Sequence, residues 1–194
     1  MPITATNPFK ERHFPGEVIV LCVRWYLRYP LAYQHVAELL AERGVEVDPS
    51  CIWRWVQTYA PELNQRCRPY LKPTNKSYRT DETYIKVKGE DKYLYRAVDS
   101  TGQTIEFLLT AKRDAAAAKR FFRKALSSPG NPLPRVIKKR TWLAKGYGSC
   151  STAWRTLQGI EAVEMIRKGR ARWATKGDSI AQAAFIAELF GLAA

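Results

Sequence analysis

The stretch SYRTDETYIKVKG, residues 77–89, has the composition of a β-strand and yet carries two adjacent carboxylates near its centre. Neighbouring side chains on a strand point to opposite faces, so only one of Asp81 and Glu82 can face the core side of a sheet. A carboxylate held there is costly unless a cation or hydrogen-bond donors meet it. Asp81 is therefore a candidate metal ligand, provided that the rest of the chain supplies partners.

The segments after this stretch continue the strand pattern. KYLYRAVDS (92–100) and QTIEFLLTAKR (103–113) are strand-like, and the intervening GED and STG supply turn residues. These segments predict a three-stranded antiparallel meander, followed by a helix that begins after Asp114 and ends at SSPGNPLP (127–134). The order β-β-β-α, with an acid in the middle of the first strand, opens domains of the ribonuclease H-like type.

Three helices are predicted before the strands. Apolar residues recur at helical spacing in GEVIVLCVRWYLRY (16–29), LAYQHVAELLAERG (31–44) and DPSCIWRWVQTYA (48–60). The first helix ends before Pro30, and the second ends at Gly44. Two helices joined by a glycine-containing turn, with another helix before them, are typical of a helix-turn-helix domain that reads DNA.

The third helix has two distinct faces. It begins with Asp48 as N-cap and Pro49 at the first helical position. Its core-facing stripe consists of Ile52, Trp55, Val56 and Tyr59. Its opposite face presents Ser50, Cys51, Trp53, Arg54 and Gln57. Arginine and glutamine are the side chains that read guanine and adenine edges in a major groove, and serine suits a phosphate.

Two further side chains are candidate phosphate contacts, and a simpler interpretation stands beside the DNA-reading one. Gln34 and His35 lie near the start of the second helix, although His35 is equally well explained as a solvated surface residue. Trp53 is interpreted as a packing residue rather than a base-stacking one. The simpler interpretation of the whole segment is an ordinary three-helix bundle with a polar outer face.

Composition favours a nucleic-acid partner in a reducing compartment. The 194 residues carry 32 lysines and arginines against 18 acids, for a net charge of +14, and such an excess usually serves a polyanion. The four cysteines show no metal-ligand spacing, as expected of an intracellular protein. The N-terminus lacks the apolar core of a signal peptide, and no apolar run is long enough to span a bilayer. We therefore expect a cytoplasmic protein without a membrane partner.

Three segments together carry a resemblance to a known family. They are LAYQHVAELLAERGVEVDPSCIWRWVQTYAPEL, DETYIKVKGEDKYLYRAVDSTGQTIEF and RTLQGIEAVEMIRKG. In this order they resemble the bacterial insertion-sequence transposases of the insertion sequence six family, and the similarity runs from about Phe9 to Arg170. The resemblance implies a helix-turn-helix head joined to a ribonuclease H-like core of DDE type.

The resemblance also implies a chemistry and partners. In this family two aspartates and one glutamate bind paired divalent metals, Mg²⁺ or Mn²⁺, and Asp81 matches the first of these acids. The implied reaction is hydrolysis at the element's end, followed by attack of the freed 3′-hydroxyl on a target phosphodiester. The implied partners are double-stranded DNA, both terminal inverted repeats and target, and a second copy of the chain, because paired ends require paired reading heads.

The other two acids of the family pattern are missing. PRVI (134–137) runs directly into KKRTWLAKGYGS (138–149), a segment that in the family lies beyond the catalytic glutamate. We expect an internal deletion between about Ile137 and Lys138 that removed both acids. Glu161 and Glu164, three residues apart on a predicted helix, are expected to be exposed and ion-paired rather than catalytic. Asp99 precedes a turn, which favours a structural role.

The expected architecture is an α+β chain in three parts. Residues 1–63 form the helix-turn-helix domain, 64–76 a basic linker, and 77–194 a truncated ribonuclease H-like core that ends in two C-terminal helices. The expected function is that of a transposase-type protein which binds terminal repeats but is impaired in cleavage. The alternatives are a non-catalytic DNA-binding remnant that represses transposition, and a core that cannot close its sheet and aggregates.

Overall fold

The computed structural model describes residues 6–72, 78–99, 104–112, 114–127 and 147–192. Within these ranges the chain is an α+β protein with six α-helices and one three-stranded sheet. The elements in chain order are α1 (Gly16–Arg28), α2 (Tyr33–Ala41), α3 (Pro49–Cys67), a 3₁₀ helix (Arg68–Tyr70), β1 (Tyr78–Val87), β2 (Glu90–Asp99), β3 (Thr104–Thr110), α4 (Ala115–Ser127), α5 (Cys150–Arg167) and α6 (Ser179–Leu189).

The three N-terminal helices form where the hydrophobic spacing predicts them. The start of α3 follows the predicted cap, since Oδ1 of Asp48 accepts a hydrogen bond from the Ser50 amide at 2.7 Å. The turn between α2 and α3 contains Gly44 at a φ of 74°, which favours glycine. Helix α3 continues through Pro61 to Cys67, beyond the predicted apolar stripe.

The two C-terminal helices pack on the N-terminal ones, with α5 lying along α3. A Cβ atom on Gly159 of α5 would lie 2.9 Å from Cα of Ala60 and 2.7 Å from Cδ1 of Leu27, so glycine permits this close approach. Arg66 joins α3 to α6 by donating to the Leu189 carbonyl at 2.7 Å. We refer to α1, α2, α3, α5 and α6, which share one hydrophobic core, as the helical body.

The predicted antiparallel meander is confirmed, with strand order β1-β2-β3. The pairing of β2 with β3 is interrupted by a register shift after Ala97. Ile85, Leu94 and Phe107 contribute to the core of the helical body. Helix α4 begins after Asp114, whose Oδ1 accepts from the Ala117 amide at 2.6 Å. Together the sheet and α4 form a second, small cluster of buried and partly buried residues: Ala97, Phe121, Tyr95 and Leu108.

Three contacts hold the sheet and the chain segments around it to the helical body. The rings of Phe107 in β3 and Trp154 in α5 lie 4.6 Å apart between centroids. Tyr147, just before α5, pairs with Val87 at the end of β1 in a single parallel bridge. The segment after α3 is also held, because Leu71 and Ala171 form an antiparallel bridge.

The proposed deletion junction at Ile137 and Lys138 lies outside the described residues. Across the part of the chain that the structure does describe, no helix is both long and apolar enough to cross a membrane.

Candidate nucleic-acid interface

The N-terminal turn of α3 is a fixed platform for the polar face of that helix. Asp48 accepts from the Ser50 amide, and the hydrogen bonds from the Ser50 side chain and backbone lower the pKa of the Asp48 carboxyl. An ionised carboxylate at this position also interacts favourably with the positive end of the helix. The first turn of α3 is therefore held by its own cap.

The predicted outer face of α3 is exposed at three of its five positions. Ser50, Trp53 and Arg54 are exposed, whereas Cys51 is half-buried. Arg54 lies along the helix, with Nη2 donating to the Ser50 hydroxyl at 3.1 Å and Nε donating to the Ser50 carbonyl at 3.3 Å. Trp53 is 42% exposed, so it is only partly covered, and its interpretation as a packing residue stays a prediction. An aromatic surface beside a guanidinium is suited to both stacking and phosphate contact.

Gln57 departs from the predicted face. It is only 6% exposed, and its Nε2 donates to Oγ1 of Thr156 in α5 at 3.0 Å. The prediction that Gln57 lies on the exposed side is wrong, because helix α5 covers that part of α3. With its amide engaged inside the helical body, Gln57 is left out of the DNA-contacting set proposed below.

Gln34 and His35 are exposed in the first turn of α2. Nδ1 of His35 accepts from the Ala32 amide at 3.2 Å, so this side chain caps its own helix. Gln34 donates to Glu38 at 3.3 Å. The Gln34 amide can exchange Glu38 for a phosphate oxygen, since both are acceptors. His35 can donate to a phosphate only through Nε2, because its Nδ1 accepts from Ala32.

A cleft of about 600 Å³ lies beside the exposed face of α3. Its walls come from the segment before α1 and from helices α1, α3 and α5. Arg12 and His13, Trp53 and Arg54, and Arg155 are among the residues that line it. The sequence predicted Trp53 and Arg54 on an outer face but missed the others, because only the packing of α5 on α3 brings Arg155 to this cleft.

The structure describes the side chains of some of the acids in the sheet. Asp81 is placed through its backbone, which lies in β1 opposite Arg96 of β2. Glu82 follows it and is half-buried. Glu106 of β3 is 1% exposed, and its Oε1 accepts from the Phe107 amide at 2.9 Å.

The acids of α5 are placed differently from the sequence prediction. Glu161 and Glu164 are 0% and 1% exposed, so the expectation that they are solvent-exposed is wrong. The expected ion pair does form for Glu164, whose Oε2 accepts from Nη2 of Arg167 at 2.6 Å. Helix α5 buries both carboxylates because it is covered on several sides by other helices.

The paired metal ions implied by the family were tested against these positions. Among the residues whose side chains the structure describes, no group of three histidines, cysteines or acids is arranged to hold a metal ion. The described residues therefore do not fit a two-metal centre, and no catalytic step is derived through one. Asp81 as a metal ligand stays a prediction.

Comparison with known proteins shows what this chain is similar to. A family model described as a DDE domain matches residues 75–135. A transposase for insertion sequence-like element IS431mec from Staphylococcus aureus is 43% identical over 126 residues, which cover 65% of this chain and 56% of that protein. A transposase for insertion sequence element IS257 in transposon Tn4003, also from Staphylococcus aureus, is 42% identical with the same coverage. No solved structure matches this chain.

The chain is thus similar to transposases, and part of it matches a DDE domain. These matches support the resemblance to the insertion sequence six family that was drawn from the sequence. The matched segment spans 56% of the length of these Staphylococcus aureus relatives.

Proposed function

We propose that this chain binds double-stranded DNA at the terminal inverted repeats of its insertion sequence, with α3 as the reading helix of a helix-turn-helix head. The observation that carries the proposal is the capped N-terminal half of α3, which exposes Ser50, Trp53 and Arg54 on one side. The net charge of +14 supports a polyanionic partner.

Each side chain in this set has a role that its chemistry suggests. The Arg54 guanidinium can donate in parallel to O6 and N7 of a guanine, which is the commonest specific contact in a major groove. Ser50, together with Gln34 and His35 on α2, would contact phosphates and fix the register of the helix on the duplex. Cys51 lies beside Arg54 and would approach a base or sugar only at close range.

The sheet and α4 are proposed to be the opening part of a ribonuclease H-like core. Support comes from the strand order, the position of Asp81 in β1 and the match of residues 75–135 to a DDE domain. We infer that the second aspartate and the glutamate were lost in a deletion between Ile137 and Lys138. One carboxylate does not make the two-metal clamp of an in-line displacement, so cleavage and strand transfer would be impaired.

A second candidate function is a non-catalytic protein that occupies the element's ends and represses transposition. It is favoured by the construction of the helical body, in which residues from both ends of the chain share one core. A reading helix supported in this way does not need a completed catalytic centre. Such a repressor is expected to be a homo-oligomer, because two element ends must be held, and light scattering of the full chain would measure its mass.

The test compares the chain with Asp81→Ala on a labelled duplex that carries the outer end of its own insertion sequence, with Mg²⁺ or Mn²⁺ present. We expect a shifted and uncut duplex with both proteins. Nicking at the repeat end that disappears in Asp81→Ala would contradict the inferred loss of activity. An unshifted duplex with both proteins would contradict DNA binding itself. A scrambled duplex of equal composition is the specificity control.

A further inference from the structure

The cleft beside α3 carries charge of one sign. Its charged walls are three arginines, Arg12, Arg54 and Arg155, and none of the described residues that line it is an aspartate or glutamate. Two of these arginines lie outside the predicted reading helix: one precedes α1 and the other belongs to α5. A cleft bounded by guanidinium groups and an exposed indole attracts phosphate oxygens along a nucleic-acid backbone.

Arg155 is presented by a helix face that is fixed to α3. The next residue, Thr156, is 1% exposed and accepts the hydrogen bond from Gln57 at 3.0 Å. One turn further on, Gly159 meets Ala60 at a distance that excludes a larger side chain. Arg155 itself is exposed. Its backbone is therefore anchored by buried neighbours, whereas its guanidinium faces the cleft.

The segment that carries Arg12 is also held against α3, through aromatic contacts. His13 and Phe14 meet edge to face with ring centroids 4.8 Å apart, and Phe14 meets Trp55 of α3 in the same manner at 5.3 Å. The backbone is further closed by the Arg12 amide, which donates to the Phe9 carbonyl at 3.1 Å. Arg12 is thus carried by a segment that is fixed to α3.

We propose that Arg155 and Arg12 are phosphate contacts on the same DNA duplex whose groove α3 reads. The interface is then composite: α3 supplies the base contact through Arg54, and the two flanking arginines hold the backbone. This inference rests on the proposed function and deepens it, because it makes DNA binding depend on the C-terminal helix α5. Loss of α5 would remove both the support of α3 and one of its phosphate contacts.

The proposal predicts different defects for the three arginines. A phosphate contact adds affinity for every sequence, and each phosphate contributes about 0.9 to the slope of log affinity against log salt concentration. Arg155→Ala and Arg12→Ala should therefore each weaken binding to the element end and to a scrambled duplex by about the same factor, roughly tenfold. The salt slope of each variant should fall by about one. Arg54→Ala should instead remove the preference for the element end.

The experiment is fluorescence anisotropy of full-length chain on the element-end duplex and on a scrambled duplex, over a series of salt concentrations. The variants are Arg155→Ala, Arg155→Lys, Arg12→Ala and Arg54→Ala, with Arg123→Ala on the exposed surface of α4 as matched control. Arg155→Lys should keep most of the salt slope, since the charge remains, while it loses the bidentate geometry. Thermal unfolding of each variant checks that the helical body is unchanged.

The outcomes separate this inference from the proposed function. If the unmodified chain binds the element end and Arg155→Ala binds it equally well with an unchanged salt slope, the composite interface is wrong and the reading role of α3 stands. If the unmodified chain binds neither duplex, the proposed function fails and the inference fails with it. An equal loss in Arg123→Ala would mean that diffuse charge, rather than this cleft, carries the affinity, and would also overturn the inference.

Discussion

The helical body and the sheet bury their apolar residues in different ways. Five helices from both ends of the chain share one core, whose residues run from Phe9 to Leu192. The sheet has a face that joins this core through Ile85, Leu94 and Phe107, whereas its contact with α4 is a small cluster around Ala97 and Phe121. Apolar burial is the main source of stability, so the two regions should respond differently to the same kind of lesion.

The difference bears on which function the chain can retain. The proposed DNA-reading helix belongs to the region with the larger core, and its C-terminal half is covered by α5. The proposed catalytic acid, Asp81, belongs to the sheet. Damage confined to the sheet would leave DNA binding intact, whereas damage between α3 and α5 would remove it. The predictions below test how firmly the contacts within and between these two regions hold the fold.

The largest effect is expected at Phe107, which joins the two regions. Its side chain is 1% exposed and contacts Trp154 of α5. Phe107→Ala should lower the free energy of unfolding by about 3 to 5 kcal/mol, because a large buried ring is lost and a cavity is left. Chemical denaturation followed by tryptophan fluorescence would measure it. Phe122→Ala on α4, where the ring is 42% exposed, is the control and should change stability little.

A smaller effect is expected where α3 and α5 meet most closely. Gly159→Val would force side-chain atoms against the Ala60 backbone and Leu27, so we expect a loss of about 2 to 3 kcal/mol from overpacking. The lesion should also expose Cys67 of α3, a thiol whose pKa burial raises to about 12, to alkylation. Gly148→Ala, with open space around its Cβ position, should leave stability and thiol protection unchanged. The alkylated peptide must be identified, since Cys150 is exposed and reacts in both variants. Rapid alkylation of Cys67 itself in both variants would contradict the tight α3–α5 contact.

The sequence predicted the elements well and their partners less well. Helices α1 to α3, the cap at Asp48 and the order of the three strands follow from periodicity and turn residues, which are local signals. The burial of Gln57 and of Glu161 could not be read in this way, because it depends on α5 packing against α3 across about a hundred residues of chain. The same packing brings Arg155 to the cleft. From the sequence alone, polar residues at such contacts between helices cannot be told from surface residues, because the partner helix is not known.

A still smaller effect tests whether Gln57 serves structure rather than DNA. Thr156→Val removes the acceptor for the Gln57 amide and should cost about 1.5 kcal/mol, since a buried donor is left without this partner. Gln57→Leu combined with Thr156→Val should recover much of that loss, because both polar groups are then removed. Denaturation of the two single variants and the double variant would measure the coupling. Additive losses would contradict a direct bond between these side chains.

The smallest expected effect concerns the cap that begins α3 and depends on pH. The Ser50 hydroxyl and amide lower the pKa of Asp48 below its ordinary value of 3.8. An acid whose pKa is lower in the folded state stabilises that state fully above its unfolded pKa, and this contribution is lost as the pH falls through the folded value.

Asp48→Asn, which keeps a capping side chain but carries no charge, is the matched variant. Urea denaturation of both proteins should show an advantage for the unmodified chain near neutral pH that shrinks below about pH 3.8. In a Ser50→Ala background the shrinkage should be smaller and should be complete at a higher pH, because the largest cause of the lowered folded pKa is removed. An advantage that does not change with pH would mean that the Asp48 charge has no part in holding the reading helix.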